Sequence, residues 1–72
     1  MTIQEFRDVV DGVADARRSL QSCQPSERDA EACRVQGWVR QLRECQWPSR
    51  LSGSDRQRAL LVMENANAEV AT

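Results

Sequence analysis

The stretch Cys23-Gln24-Pro25-Ser26-Glu27-Arg28-Asp29 decides how this chain folds. Proline disfavours helical geometry in the residue before it, so a helix arriving from the N-terminal side stops at Cys23-Gln24-Pro25. Ser26 with Asp29 three residues later is a short-armed capping box. In such a box the hydroxyl takes an orphan amide at a new helix start. The segment therefore reads as helix, break, helix. The same signal recurs on either side of it, as Thr2 with Glu5 and as Ser54 with Gln57. Both are full capping boxes. Three starts separated by Gly, Pro and Ser predict an all-α chain: a three-helix bundle, made of a helical hairpin plus a third helix, in a single domain over residues 1–72.

Periodicity fills in the helices. The first is expected over Ile3–Ser22, with Phe6, Val9, Val10, Val13 and Leu20 on one face at spacings of three and four. Arg17 lies on that face with a stem long enough to snorkel. Gly12, costly in a helix interior, marks either a close approach or a soft point. The second helix is expected over Glu27–Gln46. Glu27, Asp29 and Glu31 come early and Arg34, Arg40 and Arg43 later, an order that suits the helix dipole. Ala32, Val35, Val39 and Leu42 form its apolar stripe, with Trp38 and Cys45 on the flank. Ala30, Cys33 and Gly37 make a small-residue strip roughly opposite. Two usable faces predict that the second helix is central. After the breakers in Trp47–Gly53, the third helix is expected over Asp55–Glu69. Its core face is Ala59, Val62, Met63, Ala66 and Val70, Leu60 lies on the edge and Leu61 points away. Residues Ala68 to Thr72 are expected to fray.

Composition narrows the function. Seventy-two residues sit near the lower limit for a self-sufficient core. Histidine is absent and there are three cysteines, so disulfides and metals are poorly supplied. That raises the weight of a second copy or a partner, and a homodimer is expected. Net charge is −1, spread evenly along the chain, which opposes bulk electrostatic binding of nucleic acid. All ten basic residues are Arg and none is Lys, which points to a GC-rich bacterial or bacteriophage genome. The N-terminus lacks a basic region followed by an apolar one, so no signal peptide and a cytoplasmic location are expected. No apolar run is long enough for a membrane span.

Catalytic material is scarce. Without His, acid–base chemistry would fall to Cys or carboxylates. Asp8, Asp11 and Asp15 line one side of the first helix, and they read as a solvated face balanced by Arg7 and Arg18. Cys23, Cys33 and Cys45 contain no Cys-x-x-Cys and are odd in number, which opposes a zinc site. Cys33 and Cys45 read as small buried residues and Cys23 as a surface thiol. The glycines are isolated, so no phosphate-cradling loop is present. No enzyme, cofactor or metal is expected.

What remains is surplus surface. Trp38 and Trp47 are surrounded by Arg34, Arg40, Arg43 and Arg50, and Trp with Arg is the composition of interface hot spots. The expected function is a non-enzymatic protein-binding module, an adaptor or inhibitor that occupies a partner's surface through Trp38, Arg40, Arg43, Trp47, Arg50 and Leu61. The alternative is a helix-turn-helix DNA-binding regulator with a turn at Gln36-Gly37-Trp38. That motif wants apolar residues where this chain has Gln36, Arg43 and Gln46, and the even charge offers little phosphate affinity.

Overall fold

A computed structural model describes residues 1–72 and contains three α-helices and no strand. Helix α1 spans Ile3–Ser22, a single 3-10 turn spans Pro25–Glu27, α2 spans Arg28–Glu44 and α3 spans Gly53–Ala71. The helices lie side by side in a rod of 41 × 17 × 16 Å, one helix long and about two helices thick. Ion pairs join the first halves of α1 and α3, and the start of α2 reaches the end of α3. The topology is therefore up-down-up, with α2 antiparallel to both neighbours.

Two of the three expected caps need correction. Thr2 does cap α1: its hydroxyl accepts from the Glu5 amide at 3.1 Å and donates to the Glu5 carboxylate at 3.2 Å. Ser26 caps nothing. Pro25 instead occupies the first position of the 3-10 turn, where its missing N–H costs no hydrogen bond, and the Glu27 amide donates to the Gln24 carbonyl at 2.9 Å. Helix α2 follows from Arg28 and ends at Glu44, two residues short of the expected Gln46. At the third helix the cap is Ser52, not Ser54. Its hydroxyl accepts from the Asp55 amide at 3.1 Å and donates to Asp55 at 3.0 Å. The earlier start makes Asp55 the third residue of the helix, where its carboxylate reaches back to the Ser52 hydroxyl and the helix dipole favours it.

Eleven side chains form the buried core: Phe6, Val9, Val10, Val13, Ala16 and Leu20 from α1, Val35, Val39 and Leu42 from α2, Ala59 and Ala66 from α3. With six of the eleven, α1 is the central helix, correcting the expectation for α2. The reason lies in side-chain size. The α1 stripe is broad and bulky enough to meet two neighbours, while α3 contributes two alanines fully and Val62, Met63 and Val70 only in part. The small strip Ala30, Cys33 and Gly37 is exposed. Cys33 is thus on the surface, while Cys23 and Cys45 are half-buried, the reverse of the expectation for Cys23 and Cys33. Nor does the end of α3 stand loose. Arg28 donates at 3.2 Å to the Glu69 carbonyl and to the Thr72 hydroxyl.

Candidate functional site

The two tryptophans turn inward. Trp38 is half-buried and lies against Gly12 of α1, where an added Cβ would come within 2.7 Å of its Cε3 and Cη2. Gly12 therefore serves close packing. Trp47 stands edge-on to Phe6, with ring centroids 5.1 Å apart and planes at 67°. Its indole N–H donates to the Leu42 carbonyl at 2.8 Å, satisfying an orphan acceptor at the end of α2. The Cys45 thiol donates to the same carbonyl at 3.2 Å, and the Cys23 thiol to the Leu20 carbonyl at 3.2 Å. Both helices of the hairpin thus close on Leu-x-x-Cys with an extended Cys. That repeat was visible in the sequence and gives these two thiols a structural role as weak donors.

The expected Trp/Arg set is divided between two sides of α2. At 100° per residue, Trp38 lies on one edge of the α2 core stripe while Gln36, Arg40 and Arg43 lie beyond the other edge. Arg50 is exposed in the loop before α3 and makes no ion pair. Arg40 and Arg43, by contrast, share a groove. A cavity of about 270 Å³ between α2 and α3 is lined by Gln36, Val39, Arg40, Arg43 and Asn67. Val39, 3% exposed, is its only apolar lining residue. Both arginines are exposed and neither takes part in an ion pair. The groove is a basic, amide-lined cleft, which sequence reading reached only as two arginines.

Leu60 and Leu61 carry the exposed apolar surface of α3, at 53% and 54%. Leu60 precedes Asn67 by seven residues, so it lies on the face of α3 that borders the groove. Leu61 sits on the back of the helix. Met1 and Ile3 are the other exposed large apolar side chains.

Asp8, Asp11 and Asp15 form a solvated face on α1, as expected, and one of them, Asp11, reaches another helix. Arg7 donates through Nε and Nη2 to the two Asp55 oxygens at 3.4 and 3.2 Å, and Arg58 donates to Asp11 at 2.8 Å. The expected Arg7–Asp11 balance within α1 is thus exchanged for two links across to α3, while Arg18–Asp15 stays local at 3.2 Å. The Arg7 and Ser52 hydrogen bonds hold the Asp55 carboxyl below the usual aspartate range. Among Cys, Asp and Glu there is no group of three arranged to hold a metal ion. No helix is long and apolar enough to cross a membrane. Helix α2 runs unbroken through Gln36-Gly37-Trp38, so the turn required of a helix-turn-helix there does not form.

No protein-family model matches the chain, and comparison with curated proteins and with solved structures finds no match.

Proposed function

We propose that this protein is a non-enzymatic protein-binding module, an adaptor or inhibitor of a bacterial or bacteriophage system that acts by covering part of a partner's surface. The observation that carries the reading is the pair Leu60 and Leu61, each more than half exposed on a helix whose core face is filled without them. About half of each leucine is left in water, and burying that remainder against a partner would recover about 1 kcal/mol or more apiece. With Trp38 and Trp47 packed inward, the proposed contact centres on α3 and its border with α2. Arg40, Arg43 and Leu61 stay in it, and Leu60 joins them. The all-arginine basic set supports the bacterial or bacteriophage assignment.

Self-association belongs to the same reading, with the exposed Ala30, Cys33 and Gly37 edge of α2 as a surface allowing close backbone approach. A dimer at micromolar concentration in sedimentation would give part of the surplus surface to a second copy. A stable monomer at that concentration would overturn the homodimer.

The reading is tested with the pair Leu60→Ser and Leu61→Ser, expressed in the organism that encodes the protein and crosslinked in the cell. A discrete adduct on the wild type that vanishes in the double variant, with unfolding unchanged, is the expected result. The same adducts on both proteins, or none on either, would overturn it.

A further inference from the structure

The groove between α2 and α3 has the chemistry of a ligand site. Two guanidiniums without ion pairs line it from α2, and two side-chain amides, Gln36 and Asn67, line it from α2 and α3. Guanidinium matches a carboxylate in planar, two-pronged fashion. Side-chain amides both donate and accept, which matches the N–H and C=O groups of a peptide backbone. A phosphodiester offers acceptors alone and would engage only the amide N–H groups, whereas a peptide backbone can engage both ends of each amide. Leu60, 53% exposed two turns before Asn67 on the same face of α3, supplies apolar surface along the line of the groove.

Resting on the protein-binding reading above, we propose that this groove binds an acidic segment of the partner, one carrying Asp or Glu next to an apolar residue. The carboxylate pairs with Arg40 and Arg43, the segment's backbone meets Gln36 and Asn67, and its apolar residue covers Leu60. Charge complementarity selects the occupant. Glu44 on α2 and Glu64 on α3 are the nearby acids in sequence, and neither forms an ion pair with the two arginines. With ten basic and eleven acidic residues spread along the chain, the surface as a whole offers an extended polyanion no net attraction. A short acidic segment needs only the two arginines of the groove, whereas a nucleic-acid strand needs a longer basic track.

The test titrates the whole protein, labelled with nitrogen-15, with three probes at equal salt: an acetylated Glu-Leu-Glu-Glu peptide, the matching Lys-Leu-Lys-Lys peptide, and an oligothymidylate. The acidic peptide is expected to shift the side-chain resonances of Arg40, Arg43, Gln36 and Asn67, and the basic peptide to shift none of them. Exchanging Arg40→Gln and Arg43→Gln should weaken the acidic peptide about tenfold or more, the loss of charge-assisted hydrogen bonds. Both side chains are exposed, so the fold should survive the exchange. Absence of groove shifts at millimolar peptide, equal affinity in the double variant, or tighter binding of the oligothymidylate would each overturn the proposal. In-cell crosslinking separates its failure from failure of the protein-binding reading. An adduct retained by the Arg40→Gln, Arg43→Gln protein removes the groove and keeps the module, while no adduct on the wild type removes both.

Discussion

At Gly12 an added methyl group would meet the Trp38 ring, whereas at Gly37 it would meet nothing within 4 Å. Alanine gains about 1 kcal/mol over glycine in a helix interior. At Gly12 overpacking against a rigid indole costs about 1–3 kcal/mol, so Gly12→Ala should be destabilised by about 1 kcal/mol net. Gly37→Ala should gain up to about 1 kcal/mol. Urea midpoints of the two variants check both signs. In the sequence Gly12 reads as a close approach or a soft point and Gly37 as part of a small-residue strip, and only the facing side chain tells which of them is packed against. Trp47 was ambiguous in the same way. Its ring and N–H are both committed, so Trp47→Ala should cost about 3 kcal/mol by denaturation. A hot-spot tryptophan would leave stability unmoved.

Among the elements, helix existence was legible, whereas of the three start signals only Thr2 with Glu5 forms as expected. Periodicity gave α1 its bounds because Thr2 is the one serine or threonine before Phe6. Around α3 two boxes compete, Ser52 with Asp55 and Ser54 with Gln57. The first prevails where its acid also reaches Arg7 of another helix. That link makes α1–α3 docking sensitive to acid. Asp55 has a lowered pKa in the folded chain, so its contribution is present above the ordinary aspartate range, about 4. It is lost as pH falls through the depressed value. Asp55→Asn should therefore flatten the fall in stability below about pH 4, read from unfolding midpoints taken downward from neutral pH. The end of α3 was expected to fray because its partner lies forty-one positions away, at Arg28. Arg28→Ala should restore that fraying, seen as faster amide exchange from Val70 to Thr72 with little change at Ala59.

For the whole molecule, the count of helices followed from local signals, but the choice of the central one depended on bulk. Helix α1 holds six of eleven core residues because its stripe is broad, and α3 packs mainly through alanines. A helix packed through small residues lies close to its neighbours and leaves its large side chains outside. Leu60 and Leu61 are that remainder. Sequence reading found Leu61 and the two arginines of the groove, because each lies off the apolar stripe of its helix. It missed Gln36 and Asn67, which become a site only once α2 and α3 are brought together. The central claim, that this face meets a protein partner, is tested most directly by a photoreactive side chain introduced singly at Arg43, Leu60 and Leu61, and at Asp15 on the far side. Irradiation in the organism that encodes the protein should give one adduct of the same mass from the first three positions and none from Asp15. Equal labelling from all four positions, or from none, would contradict the account.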